Sequence, residues 1–97
     1  GDREYEARAL YNIGAVYENL GKYSQALEFL RQSLKLSQEV NDRVLETGCL
    51  IAIGNVYTYL NNFVRALEFY SKAKKIKREI GEKPGQAECL IRIAFIY

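Results

Sequence analysis

Residues 10–29, LYNIGAVYENLGKYSQALEF, are answered forty positions later by residues 50–69, LIAIGNVYTYLNNFVRALEF. Leu10, Ile13, Gly14, Val16, Tyr17, Leu20, Ala26, Leu27, Glu28 and Phe29 recur as Leu50, Ile53, Gly54, Val56, Tyr57, Leu60, Ala66, Leu67, Glu68 and Phe69. Outside that stretch Asp2, Arg3, Glu6, Lys35 and Glu39 recur as Asp42, Arg43, Glu46, Lys75 and Glu79. Residue frequencies alone would give roughly two or three identities per repeat length, and these units share about fifteen. The register runs on into Cys89, Leu90, Ile91, Ile93 and Tyr97. A chain written this way is a repeat array, in which each unit buries its apolar face against its neighbours, and such arrays usually bind rather than catalyse.

Within the first unit, Tyr5, Ala9, Leu10, Ile13, Val16 and Tyr17 are spaced by the three-and-four rhythm of a helix with one buried stripe. Gly21 ends that helix, and Tyr23, Ala26, Leu27, Leu30 and Leu34 open a second that runs to the Asn41-Asp42 turn. The second unit repeats the hairpin. Gly21 is matched by Asn61, and Gly1 and Gly81 by Asn41, so these helix ends take only the residues that enter left-handed backbone cheaply. Asp2 and Asp42 follow as N-cap candidates, and Pro84 suits a first helical turn. The expected fold is all-α, with units at 1–40 and 41–80 and the first helix of a third at 81–97. Its five antiparallel helices would stack as a right-handed α-solenoid fragment.

Gly14 and Gly54 lie mid-helix, where glycine costs roughly 1 kcal/mol relative to alanine. A close helix approach accounts for them, with Ala26 and Ala66 as the expected neighbours and Tyr17 and Tyr57 filling the space beside. Cys49 and Cys89 share one repeat position, held by Ala9 in the first unit, which reads as a small buried residue. Equivalent positions on stacked helices lie on the order of 10 Å apart, beyond disulfide reach, so two free packed thiols are expected.

Composition narrows the function classes. Lys and Arg number 14 against 12 for Asp and Glu, and the resulting net charge of +2 does not by itself imply a nucleic-acid partner. Without histidine, a Gly-rich phosphate loop, or Cys and acidic residues at metal-ligand spacing, neither an enzyme nor a cofactor is expected. No apolar run is long enough for a membrane helix, and no basic-then-apolar leader is present, giving the expectation of a soluble, cytoplasmic protein. The sequence contains no Met, so it reads as an excised piece of a longer protein.

These residues resemble the tetratricopeptide repeat family, whose signature sets a large apolar residue, then Leu-Gly, Tyr, and Ala, aromatic, Ala at fixed spacing. The first unit matches with Leu10, Ile13, Gly14, Tyr17, Ala26 and Leu30, the second with Leu50, Ile53, Gly54, Tyr57, Ala66, Tyr70 and Ala73. Leu stands for the first aromatic, Ser33 for the final Ala of unit one, and the terminal Pro is absent. The period is 40 rather than about thirty-four, similar to long-period members in spindle and kinesin-light-chain adaptors and in bacterial multi-repeat signalling proteins.

The resemblance implies a protein-interaction module whose first helices line a concave groove for a partner peptide or helix. Carried onto this sequence, the groove positions are Arg8, Tyr11, Asn12, Ala15, Glu18 and Asn19 in unit one. Unit two supplies Gly48, Ile51, Ala52, Asn55, Thr58 and Tyr59, and the third Glu88, Ile91, Arg92 and Phe95. Asn12 and Asn55 are the sharpest candidates, because a side-chain amide donates and accepts at once and can grip a peptide backbone; the alternative is a solvent-facing polar residue. The two-carboxylate clamp of some members is matched only by Asn55 and Arg92, since Tyr11, Ala15 and Glu88 hold its other places. The basic run Lys72, Lys74, Lys75, Lys77 and Arg78 reads as a solvated helix end complementing the dipole, with an acidic partner as its alternative.

Two further readings stay open beside an adaptor or scaffold: a peptide-sensing regulatory segment of a larger signalling protein, and a nucleic-acid-binding solenoid. The last helix, Pro84 to Tyr97, is apolar on several faces, and self-association through that uncapped end is expected.

Overall fold

The computed structural model describes residues 2–81. They form four α-helices: α1 (Asp2–Asn19), α2 (Tyr23–Glu39), α3 (Arg43–Tyr59) and α4 (Phe63–Ile80), with no strand among the described residues. The expected fifth helix lies outside them, together with Cys89, Glu88, Arg92 and the proposed self-association face. α1 packs along α2 and α3 along α4, and α2 also lies against α3, so the second helix of one hairpin touches the first of the next.

Each connection is three residues long, and all are built alike. The helix ends are closed by paired backbone bonds: Lys22 N–H to Tyr17 C=O (2.9 Å) with Gly21 to Glu18 (3.0 Å), then Asp42 to Ser37 (2.9 Å) with Asn41 to Gln38 (3.3 Å). Asn62 to Tyr57 (2.9 Å) and Asn61 to Thr58 (3.0 Å) repeat the pattern. This double closure requires a left-handed residue just past the helix. Gly21, Asn41, Asn61 and Gly81 supply it, with φ of 74°, 60°, 61° and 78°, at the positions where the sequence alternates between only Gly and Asn.

The next helix begins at once. The Asp42 carboxylate accepts from Leu45 N–H at 3.0 Å, as expected of an N-cap, and Asn62, which the sequence reading passed over, accepts from Arg65 N–H at 3.3 Å to cap α4. Asp2 is the first residue of α1 rather than a cap ahead of it. Replacing Asp42 by Ala is expected to lower stability by about 1 kcal/mol, read as a shift in the urea midpoint, because one N-terminal amide of α3 loses its acceptor.

The core runs through both hairpins as a cluster of Ala26, Leu30, Ala52, Ile53, Val56, Tyr57, Ala66 and Tyr70. The mid-helix glycines do mark close approaches, but Ala26 and Ala66 are not the residues that fill them. A Cβ on Gly14 would lie 2.8 Å from Leu30 Cγ, and one on Gly54 would lie 2.5 Å from Tyr70 Cε1. In both hairpins the filling side chain stands one turn further along the second helix, and it is large. Tyr17 stacks on Phe29 (centroids 5.5 Å apart) and Tyr57 on Phe69 (5.7 Å), closing the space beside each notch.

The polar identities outside the core also have a structural role. Arg43 pairs with Glu79, joining the start of α3 to the end of α4, and Arg3 pairs with Glu39 at 3.7 Å at the same place in the first hairpin. Both pairs are solvent-accessible and contribute about 0–1 kcal/mol each. They orient the hairpin rather than hold it.

Candidate functional site

The first helices, α1 and α3, are neighbours across a cleft. One end, of about 410 Å³, is lined by Arg8, Tyr11, Asn12, Asp42, Val44, Leu45 and Gly48. It runs on through Tyr11, Val44 and Gly48 into a second depression that adds Ala15, Glu18, Ile51, Ala52, Asn55 and Lys77. Helical spacing puts these side chains in line: positions 8, 11, 12, 15 and 18 on α1 and 44, 48, 51, 52 and 55 on α3 are three and four apart. Small residues make the depression. Gly48 leaves room for the Tyr11 ring, whose nearest atom would be 3.6 Å from a Cβ placed there.

The cleft therefore joins Arg8, Tyr11, Asn12, Ile51 and Asn55 of the sequence candidates, along with Ala15, Glu18, Gly48 and Ala52. Three others stand apart from these lining residues. Asn19 is exposed at the end of α1. Tyr59 stacks on Tyr23 of α2, with centroids 5.4 Å apart, at the far end of α3. Thr58 donates to Gly54 C=O at 2.9 Å and lies 3.1 Å from the Tyr70 hydroxyl. Asp42, Val44, Leu45 and Lys77 join the wall unannounced by the helix pattern. Asp42 was legible only as a cap, and Lys77 comes from a second helix.

Charge along the cleft is mixed. Arg8 approaches the Asp42 carboxylate to 3.9 Å at one end, and Lys77 and Glu18 stand further along. Asn55 is anchored from behind: the Tyr70 hydroxyl donates to its Oδ1 at 2.7 Å. In unit one the equivalent places hold Ala15 and Leu30, so the amide and the tyrosine that holds it occur together.

The basic run does not form one patch. Lys72 lies 5.0 Å from the Phe69 ring centroid. Lys72 and Lys75 line a depression with Arg43, Glu46 and Glu79, where cations alternate with carboxylates. Lys77 faces the cleft instead. Lys72 and Lys75 therefore stand among opposite charges rather than on a uniformly basic surface.

Between the hairpins Ser33 is a buried polar hub. Its hydroxyl donates to Ala7 C=O at 2.6 Å and receives the Cys49 thiol at 3.2 Å. The departure from alanine at this position thus links α1, α2 and α3. Cys49 is free and buried, as expected from its repeat position. Burial pushes its pKa from 9.0 up to about 11; the Ser33 bond opposes that shift, and the carboxylates of Asp42 and Glu46 add to it. A raised pKa means the folded state favours the protonated thiol, so that contribution is intact below pH 9.0 and is lost as pH climbs towards about 11. Cys49 is expected to resist iodoacetamide at neutral pH until the chain unfolds, and Cys49→Ala to flatten the alkaline loss of stability in pH-dependent urea melts.

Among the described residues no group of three or more His, Cys, Asp or Glu side chains could hold a metal ion, and no helix is long and apolar enough to cross a membrane. Residues 7–39 and residues 48–80 each match a family described as tetratricopeptide repeat. No curated protein matches the chain.

Proposed function

The chain belongs to the tetratricopeptide repeat family, and from that membership we propose that it is a binding module of the long-period kind, an adaptor or scaffold segment that receives a partner peptide or helix along the α1–α3 cleft. Repeats of this family generally mediate protein–protein interaction and are not catalytic. The observation that carries the reading is the continuous strip of Arg8, Tyr11, Asn12, Ala15, Ile51 and Asn55. It offers aromatic and aliphatic contacts between two amides on helices that need little reordering when a ligand docks. The stacked hairpins would extend as a right-handed solenoid in the cytoplasm, with the strip on its concave side.

Crosslinking capture from extract tests it, comparing the chain with an Arg8→Glu, Asn12→Ala, Asn55→Ala variant of unchanged helicity. Capture of a partner is expected to weaken by tenfold or more, about 1.4 kcal/mol, while exposed Gln32→Ala leaves it unchanged. Equal capture by the triple variant would place recognition away from the cleft.

A further inference from the structure

At one edge of the molecule the α1–α2 turn and the α3–α4 turn lie side by side, joined by the stacked rings of Tyr23 and Tyr59. Apolar side chains stand outward there: Leu20, Tyr59, Leu60, Phe63 and Val64 are 63%, 58%, 47%, 43% and 71% exposed. A neighbouring hairpin does not cover this place. Leu20 has the second hairpin packed alongside its own, and it is as open as Leu60, which holds the same repeat position. Charge separates this edge from the opposite one. Across residues 19–27 and 59–67 the charged residues are Lys22 and Arg65, one exposed cation for each turn. The turn between α2 and α3, at the other edge, carries Glu39, Asp42 and Glu46 around Arg43. The backbone of the two turns is also closed on itself. The N–H groups of Gly21, Lys22, Asn61 and Asn62 donate to carbonyls of the preceding helix, and the Asn62 side chain accepts from Arg65 N–H, so these amides need no water.

We propose that this turn edge is a peripheral docking surface for an anionic lipid bilayer, with Leu20, Leu60, Phe63 and Val64 entering the headgroup region and Lys22 and Arg65 meeting the lipid phosphates and carboxylates. Aromatic and aliphatic side chains favour the boundary between headgroups and acyl chains, and each nearby cation adds attraction to an anionic surface. Projecting side chains on internally bonded turns suit a deformable medium poor in hydrogen bonds. A protein surface gains its specificity from paired polar groups instead. A second copy fits the edge less well, because edge-to-edge pairing sets Lys22 and Arg65 against like charges. The cleft shares none of its lining residues with this edge, so docking here does not occupy it.

Cosedimentation of the 97-residue chain with vesicles tests the proposal, using equal parts phosphatidylcholine and phosphatidylserine beside phosphatidylcholine alone. Binding is expected on the anionic vesicles, and is expected to weaken by about tenfold or more with Lys22→Glu, Arg65→Glu. An acid at these places complements the N-terminal dipoles of α2 and α4, so the fold should tolerate the change, which circular dichroism checks. Lys72→Glu, Lys75→Glu alters the net charge equally on another face and should leave binding within about twofold. Leu60→Ser, Val64→Ser keeps both cations and is expected to weaken binding by about tenfold, the remainder disappearing in high salt. Absence of binding to the anionic vesicles, or equal loss in the two charge-reversed variants, would overturn the proposal. So would loss of a captured protein from the Lys22→Glu, Arg65→Glu variant without any vesicle binding, which would assign the edge to an acidic protein partner. None of these outcomes depends on whether the cleft binds a partner.

Discussion

Truncation of Tyr70 to alanine is expected to lower the unfolding free energy by about 3–5 kcal/mol, the range for emptying a buried aromatic site. Tyr70 is 1% exposed and heads the fully buried side chains in volume. Its ring fills the notch over Gly54, and its hydroxyl reaches Asn55 and Thr58. Collapse into the vacancy is restricted, because the opposing wall is the backbone of α3 rather than a side chain that can swing in. Tyr70 is the largest fully buried member of the small cluster that joins the two hairpins, so a single urea or thermal melt of the variant should show the loss directly. Tyr70→Phe separates the contributions: it keeps the ring and is expected to cost about 1 kcal/mol through the lost hydrogen bonding. A fall of under 1 kcal/mol for the alanine variant would mean that the hairpin does not depend on this contact.

A contrast of sign is expected between two glycines of the same helix. Gly54→Ala should destabilise by about 1–3 kcal/mol, even though alanine is the better helix former by roughly 1 kcal/mol. Its methyl would sit 2.5 Å from Tyr70 Cε1, 2.8 Å from Cδ1 and 3.0 Å from Cζ, and a ring buried on all sides cannot back away. Gly48→Ala, six residues earlier, should stabilise by up to about 1 kcal/mol, because its methyl meets the Tyr11 ring at 3.6 Å, an ordinary contact. Thermal melts of the two variants beside the parent suffice. Gly14→Ala falls with Gly54, its nearest obstacle being Leu30 Cγ at 2.8 Å. The same substitution thus distinguishes a glycine that admits a neighbouring helix from one that only hollows the cleft.

Most of the candidate cleft was legible once the first helices were taken to face one another. Arg8, Tyr11, Asn12, Ile51 and Asn55 lie where the register puts them, because a straight helix keeps residues three and four apart on one face. The reading fails at the ends of the helices. Tyr59 turned to Tyr23, a partner on α2 whose position depends on how one hairpin lies on the next. Lys77 entered the cleft from α4 for the same reason, since a residue on a second helix reaches it only through packing. Ser33 looked like a lapse from the small-residue pattern, yet it carries the hydrogen bonds among three helices. Nothing local distinguishes a serine that bonds across an interface from one that merely fits.

By itself the sequence determined the four described helices and the sites of the turns between them. These rest on apolar spacing and on four left-handed positions that only Gly and Asn occupy, both properties of short stretches of backbone. Tertiary structure alone decided which large side chain fills each glycine notch, and that Leu30 and Tyr70 rather than Ala26 and Ala66 stand there. It also decided which arginine meets which carboxylate, and that Ile53 and Val56 are buried on α3 while Ile13 and Val16 lie open on α1. Those outcomes depend on the offset between one helix and the next. That offset is set by the summed packing of many side chains distant in sequence, and no single residue or local pattern encodes it.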